Sequence, residues 1–302
     1  MLFITQTALE LGFMYALVSM ALFLSYRVLD IADLTTDGAF VLGMAVSVSL
    51  AAAGHPFLAI PAAMAAGACA GFVTAFLQTR LGVPSILAGI ITNTGLYTVN
   101  LMAMGWSSNV NLLKQQTIFT IFKKTGIGGD WYEFILAAVV TVLAGIFIIW
   151  FLRTRLGLSI RATGDNRDMV RASSINPAVT VTVGLCIANA LTALSGAVVG
   201  QLQKSADING GTGIVVVGLA CLIIGETVVG RGSVRRGVVA VVVGSVIYRF
   251  IYAVVLKTKV VPIECLKLMT AIIVALAIAA PSLRAWAALK RRKLAARQKG
   301  GR

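Results

Sequence analysis

Long apolar runs separated by short polar segments repeat along most of the chain. Nine such runs can be counted, at residues 3–25, 38–53, 57–77, 84–104, 132–152, 177–202, 213–229, 237–256 and 262–280. A helix needs about 20 apolar residues to cross the hydrocarbon core of a bilayer. Because runs of this length are too long for the strands of a barrel, the pattern predicts an all-α, polytopic transmembrane helical bundle of about nine spans, within a range of about eight to ten.

The composition agrees with lipid as the solvent of this chain. Of its 302 residues, 58% are hydrophobic and 12% are charged, and the mean hydropathy is +0.91. An ordinary soluble domain is about half apolar and a quarter charged. The single histidine and the four scattered cysteines show no metal-ligand spacing. We therefore expect no metal, no cofactor and no catalytic residue in this chain.

The charge of the chain is unbalanced, with 26 Lys and Arg against 11 Asp and Glu. When these residues are assigned to the predicted loops, 18 of the 26 lie on one side, and eight of those belong to the tail 284–302. Cytoplasmic loops are enriched in Lys and Arg, so the pattern predicts an outside N-terminus and a cytoplasmic C-terminus. The basic tail is expected to lie on anionic membrane lipids, and no nucleic acid is expected as a partner.

Two runs, 38–53 and 213–229, are shorter than most of the others, and each follows a polar segment that contains Gly and Asp. Each has one long run before it and two runs after it, which divides the chain into repeat one (1–104), a connector span (132–152) and repeat two (177–283). Because an odd number of spans separates the units, this 4+1+4 repeat is inverted. Paired short spans in an inverted repeat indicate a transport pathway. Gly-rich helices also resemble one another because small residues allow close packing, so both explanations stay open.

The loop 153–176 between the fifth and sixth runs contains five arginines and two aspartates. Its second half is predicted to form a short helix, with Asp165 or Asn166 as the N-cap. Met169 and Val170 would lie on one side of that helix. A short helix with a small apolar face and flanking charges is suited to docking on a soluble partner.

Several motifs of this chain resemble those of a known family of permeases. The loop segment LGLSIRATGDN, followed by ASSIN, and the later segment GLACLIIGETVVG are similar to ABC importer permeases of the broad family that includes the branched-chain amino acid and ribose permeases. The segments DIADLTTDGAF and VPSILAGIITNTGLY extend the resemblance over almost the whole chain. The TTDGAF segment is most similar to permeases associated with tryptophan or tyrosine. The chain departs from the family at Gly225-Glu226, where many relatives have two glycines.

The resemblance implies a transmembrane permease domain over 1–283 and a coupling helix, in the loop 153–176, that binds a separate ATPase subunit. The residues expected to couple to the ATPase are Arg161, Gly164, Asp165, Asn166, Arg167, Met169 and Val170. It also implies a second permease subunit, identical or paralogous, an extracytoplasmic solute-binding protein and a location in the bacterial inner membrane. ATP and Mg would be bound by the ATPase, because the P-loop-like segment GETVVGRGS lacks the required lysine.

Polar side chains within the apolar runs or at their start are the candidates for a translocation pathway. The residues expected to line it are Thr36, Asp37, Asn93 and Asn189. Amide side chains such as the two asparagines also hold membrane helices together, and that alternative stays open. Charges inside spans are costly and are therefore functional candidates, here Glu226 and Arg249. These two side chains could pair across the seventh and eighth runs, although Arg249 could equally extend toward the membrane surface.

The sequence therefore predicts the permease subunit of an ATP-driven ABC importer for a small polar solute, an amino acid, which moves by alternating access. The chain itself would not be an enzyme. The alternative is an ion-coupled secondary transporter, which would use Glu10, Asp37 or Glu226 as its coupling site. Such a transporter would need neither an ATPase nor the docking loop.

Overall fold

The structure is a computed structural model that describes residues 2–113, 115–124, 126, 129–230 and 232–258, together with Leu268, Ala271, Ile272, Val274, Ala275 and Ala279. The helices are α1 (Leu2–Leu22), continued by a π-helical segment (Phe23–Val28), α2 (Thr36–Ala52), α3 (Pro56–Thr79), α4 (Ser85–Ala103), α5 (Ile118–Lys124), a 3₁₀ turn (Gly129–Trp131), α6 (Tyr132–Phe151), α7 (Arg155–Asp165), α8 (Arg167–Ala172), α9 (Pro177–Gln203), α10 (Ile214–Val229) and α11 (Val234–Thr258). Two short strands, β1 (Asn109–Asn111) and β2 (Ser205–Asp207), complete the described elements.

Within the described residues, six helices are long and apolar enough to cross a membrane, and two more are apolar but shorter. The six are Thr5–Val28, Pro56–Thr79, Ser85–Ala103, Tyr132–Phe151, Pro177–Gln203 and Val234–Val255. The two shorter helices are α2, with 17 residues, and α10, with 16, and they fall on the two short apolar runs. An all-α polytopic membrane protein is therefore confirmed. The predicted ninth span, 262–280, apart from the six single residues named above, and the tail 284–302 lie outside the described residues.

The bundle has two distinct ends. One end, here called the arginine-rich end, gathers the last turn of α1, helix α7 and the joint between α10 and α11 around a cavity of about 160 Å³, whose lining includes Arg27, Arg161, Asp165 and Glu226. At the opposite end, the strand end, β1 pairs with β2 in antiparallel register. Helices α1, α3, α6 and α10 run toward the arginine-rich end, and α4, α9 and α11 run away from it.

Helix α9 lies at the centre of the bundle, against α2 and α3. It begins at Asn176, whose side chain accepts a hydrogen bond from the amide of Ala178 (2.9 Å), and it ends at Lys204 in a left-handed conformation. Its approach to α2 requires glycine, because a Cβ on Gly196 would meet the carbonyl of Phe40 and a Cβ on Gly43 would meet the backbone of Ala193. Small residues allow membrane helices to approach this closely.

Both short helices begin inside the bundle, near the middle of α9. Before α2, the segment 29–35 leaves the arginine-rich end and reaches the centre, where Asp33 bonds to Asn189 of α9. Helix α2 then runs to the strand end. Helix α10 begins beside Asp37 of α2 and runs the other way, to the arginine-rich end. Both short helices therefore start at the same level inside the bundle. From there α2 runs to the strand end and α10 runs to the arginine-rich end.

Candidate functional site

The carboxylate of Asp37 joins the starting points of the two short helices. It lies in the first turn of α2, and its two oxygens accept hydrogen bonds from the backbone amides of Gly213 (3.0 Å) and Val215 (2.9 Å). These amides belong to the N-terminus of α10, where the unpaired N–H groups and the helix dipole stabilise a negative charge. Asp37 therefore holds α10 against α2 in the interior of the protein.

A cavity of about 340 Å³ opens beside Asp37, between α2, α4 and the segment that precedes α10. Its polar lining residues are Asp37, Asn93, Thr94, Tyr97, Asn100, Asn209 and Thr212. The structure thus places two of the predicted pathway residues, Asp37 and Asn93, on the same cavity. The predicted role of these residues in translocation stays a prediction.

The other two predicted pathway residues, Thr36 and Asn189, are buried in a polar network next to this cavity. Its centre is Asp33, which is only 3% exposed. The Asp33 carboxylate accepts hydrogen bonds from the side-chain amide of Asn189 (2.7 Å) and from the backbone amide of Thr35 (2.9 Å). The hydroxyl of Thr36 donates to the backbone carbonyl of Asp33 (3.1 Å). Thr36 and Asn189 therefore hold the segment 29–35, which precedes α2, in place.

Sequence reasoning missed Asp33, because it considered polar residues inside the apolar runs or directly at their start, and Asp33 lies five residues before the run 38–53. The signal that could have found it is a second acidic residue four positions before Asp37, in a segment between two apolar runs. A short helix that begins inside the membrane needs polar groups for its first N–H groups, and Asp33 supplies such a group to Thr35.

Replacing Asp33 by alanine is expected to lower the free energy of unfolding by about 2 to 4 kcal/mol, because the amides of Thr35 and Asn189 would lose a buried acceptor. The measurement is an SDS titration of the purified protein in mild detergent. The control is Asp168→Ala, because the side chain of Asp168 is 94% exposed and its loss is expected to change stability by less than about 0.5 kcal/mol. Equal effects of the two substitutions would contradict the assignment of Asp33 to the interior.

The two intramembrane charges do not pair with each other, as the sequence suggested they could. Glu226, in the last turn of α10, forms an ion pair with Arg27 at the end of α1, with 3.1 Å between Nε and Oε1. Arg249 lies 15 residues after the start of α11, which is about 22 Å along the helix axis. Its guanidinium lies over the ring of Tyr15, 3.6 Å from the ring centroid. Of the two alternatives that the sequence left open for Arg249, the pair with Glu226 does not form, because the two residues lie at different levels.

The loop between α6 and α9 forms two short helices, α7 and α8. Thr154 caps α7 by accepting a hydrogen bond from Gly157, and Asn166 caps α8 by accepting from the amides of Asp168 and Met169 (both 3.0 Å). The predicted short helix is present, and Asn166, not Asp165, is its N-cap.

The residues predicted to couple to an ATPase occupy three different environments. Asn166, Arg167 and Met169 are exposed at the surface, with Met169 65% exposed. Val170 is only 2% exposed, so the prediction that Met169 and Val170 form one apolar docking face was wrong. The remaining residues, Arg161, Gly164 and Asp165, belong to α7 and lie near the end of α1, where Arg161 and Asp165 line the cavity of about 160 Å³.

The fold and these sites define a multi-pass helical membrane protein in which two short helices start at an interior polar junction. In the described part of the chain, no group of three or more His, Cys, Asp or Glu side chains could hold a metal ion. Residues 4–280 match the family of branched-chain amino acid transport system permease components, and the chain belongs to this family. The resemblance seen in the sequence motifs is thereby confirmed.

Individual relatives carry different names. The chain is 31% identical over 260 residues to a tyrosine transport system permease protein of Clostridioides difficile, which covers 86% of this chain and 85% of the relative. It is 30% identical over 271 residues to an uncharacterized protein of Rickettsia prowazekii, covering 88% and 94% of the two chains. It is 26% identical over 201 residues to the ribose import permease protein RbsC of Escherichia coli, covering 65% and 60%. No solved structure matches the chain.

Proposed function

We propose that this protein is the membrane-spanning subunit of an ATP-driven importer for an amino acid, coupled through α7 and α8 to a separate ATPase subunit. The observation that carries the proposal is the attachment of these two helices. They present exposed side chains at the arginine-rich end and are held against two spans of the bundle. In this proposal ATP and Mg bind to the ATPase, and a second permease subunit and an extracytoplasmic solute-binding protein complete the importer.

The attachment of α7 is close on both sides. Gly164 lies so near the end of α1 that a Cβ there would meet the carbonyl of Val28. On the other side, the hydroxyls of Thr163 and Thr180 lie 2.8 Å apart and link α7 to the first turn of α9. A force applied to α7 and α8 would therefore reach α1 and α9 directly, and rigid-body movement of packed helices is how transporters alternate their access.

The orientation and the repeat belong to the same proposal. Arginine-rich loops face the cytoplasm in membrane proteins, so the arginine-rich end would face the cytoplasm of a bacterial inner membrane, with the N-terminus outside. The opposite directions of α2 and α10 support an inverted repeat of four spans, one connector and four spans. The ninth span of that arrangement would be supplied by residues 262–280.

An amino acid is proposed as the solute on two grounds. One relative is named for tyrosine transport, and the TTDGAF segment is similar to permeases associated with tryptophan or tyrosine. Membership of the family does not by itself decide the solute, because another relative is named for ribose import. The described residues that line the cavity carry uncharged polar side chains and one carboxylate, that of Asp37, and this lining is compatible with a small zwitterion.

Replacing Met169 by aspartate is expected to reduce ATPase association by at least tenfold, a loss of about 1.4 kcal/mol or more, because a charge would replace an exposed apolar side chain at the centre of the proposed contact. The measurement is the amount of ATPase subunit that copurifies with the chain, together with ATP-driven uptake of labelled L-tyrosine, L-tryptophan and L-leucine into proteoliposomes. The control is Leu113→Asp, since Leu113 is 80% exposed at the strand end.

Two results would overturn the proposal. If the intact chain retains no P-loop ATPase and takes up solute in response to a sodium or proton gradient alone, the protein is a secondary transporter. If Met169→Asp and Leu113→Asp leave ATPase association equally intact, α8 is not the docking helix.

A further inference from the structure

We propose that the cavity beside Asp37 is a transit site that binds the primary ammonium group of the solute as it crosses the membrane. This inference rests on the proposed function and extends it, because it assigns a chemical requirement to the permease itself. The solutes it admits would be molecules that carry a primary amine, which includes amino acids and excludes neutral sugars.

The electrostatics of the cavity favour a cation. Asp37 is the only charged residue in its lining, and no Lys, Arg or His is among the described residues that line it. The Asp37 carboxylate accepts hydrogen bonds from the backbone amides of Gly213 and Val215, and the backbone amide of Ile214 also stabilises its charge. A carboxylate has about four lone-pair sites, so at least one remains for a ligand.

A second acceptor, on the lining residue Asn100, has no partner among the described residues. Asn100 is only 2% exposed, and its side-chain nitrogen donates to the backbone carbonyl of Gly38 (3.2 Å), which fixes the orientation of the amide. Its carbonyl oxygen is buried and has no hydrogen-bond partner among the described residues. A buried polar atom without a partner is costly, and an ammonium group, which has three donors and no acceptor, would satisfy it.

The rest of the cavity suits the remainder of a small amine. Its volume of about 340 Å³ is at the lower end of the range for ligand pockets, which is about 300 to 1,000 Å³. The ring of Tyr97, 52% exposed, lies on one side, with Val41 and Ile208 nearby as apolar surface. The amides of Gly213 and Val215, which could have bound a carboxylate, are already taken by Asp37. The cavity is therefore complementary to the amine end of a zwitterion and not to its acid end.

A thiol placed in the cavity tests this charge preference without any need for transport. All four native cysteines are replaced by alanine, and Thr94, which lines the cavity, is replaced by cysteine in the full-length protein. The rates at which the thiol at position 94 is modified by cationic aminoethyl methanethiosulfonate and by anionic sulfonatoethyl methanethiosulfonate are compared. The charge ratio is the cationic rate divided by the anionic rate. It is expected to be at least about tenfold higher at position 94 than for Ser107→Cys, since a focused charge raises the local concentration of counter-ions about 10-fold to 1,000-fold. Ser107 lies exposed at the strand end.

Variants of Asp37 decide whether this carboxylate causes the preference for the cationic reagent at position 94. Asp37→Asn is expected to bring the ratio at position 94 down to that of the Ser107→Cys control, whereas Asp37→Glu keeps the charge and is expected to retain most of the ratio. A ratio at position 94 equal to the control, or one that persists in Asp37→Asn, overturns the inference. The folding of each variant is checked by its elution from a sizing column. If Asp37→Asn is misfolded, Asp37→Glu serves as the test, because loss of the charge ratio at position 94 in Asp37→Glu would also overturn the inference.

Protection by small molecules identifies the group that is recognised. L-Tyrosine and tyramine are expected to slow modification at position 94, and 3-(4-hydroxyphenyl)propionate, which has the ring and the acid but no amine, is not. Protection by the acid and not by tyramine would overturn the inference. Failure of the proposed function would instead be seen as loss of ATP-driven uptake with an unchanged charge ratio, so the two failures are distinguishable.

Discussion

Replacing Gly196 by valine is expected to prevent α9 from packing on α2, with a loss of more than about 4 kcal/mol, enough to abolish the folded protein. The Cβ of any larger residue at this position would overlap the carbonyl oxygen of Phe40, which is backbone and cannot move without displacing α2. Helix α2 carries Asp37, so the interior junction with α10 would be lost as well. The expected result is a strongly reduced yield of monodisperse protein in mild detergent, measured by size-exclusion chromatography.

The matched control is Gly95→Val on α4. A Cβ at Gly95 would have no atom from outside its own helix within 4 Å, so the same substitution in another membrane helix adds bulk without overlap. The yield of this variant is expected to be close to that of the wild type. A normal yield for Gly196→Val would show that the contact between α2 and α9 is less close than described.

Reversing the charge of Glu226 to arginine is expected to cost about 2 to 4 kcal/mol, because Glu226 is 8% exposed and its partner Arg27 would then face a second positive charge. The side chain of Arg27 is 47% exposed, so solvent screening keeps the cost toward the lower value. The double variant Arg27→Glu/Glu226→Arg restores opposite charges and is expected to recover at least half of the loss. The measurement is the free energy of unfolding by SDS titration.

An exposed ion pair at the same end provides the comparison. Arg171 and Asp168 lie 3.9 Å apart on α8, with side chains 71% and 94% exposed. Reversing Arg171 to glutamate is expected to change stability by less than about 1 kcal/mol, as is usual for surface pairs. If the double reversal of Arg27 and Glu226 recovers nothing, the two side chains do not interact in the folded protein.

The apolar runs predicted the helices well because the signal is local. Eight of the nine runs coincide with helices, and the N-cap Asn166 of α8 was one of the two expected from its neighbouring residues. The two short runs also correspond to the shortest apolar helices, α2 and α10. Length and capping depend only on nearby sequence, so they could be predicted without knowledge of the packing.

The contacts of the candidate site could not be predicted in the same way, because they join residues far apart in the chain. Asp37 was recognised as a candidate, but nothing in its neighbourhood indicates that its partners are the amides of Gly213 and Val215. The sequence left open a pair between Glu226 and Arg249, but the level of each residue along its helix decides the pairing, and Glu226 pairs with Arg27. Asn100 was not among the predicted pathway residues, and its oxygen is seen to lack a partner among the described residues only when its bond to Gly38 fixes the amide.

The junction at Asp37 also constrains the order in which the protein is made. A ribosome delivers α2 to the membrane long before α10, whose capping amide at Gly213 is 176 residues further along the chain. Until α10 is synthesised, the Asp37 carboxylate lacks the two donors that neutralise its cost in the bilayer interior. The first half of the protein therefore completes its polar interior only after α10, in the second half, has been inserted, and fragments made separately would each expose an unpaired helix start to lipid.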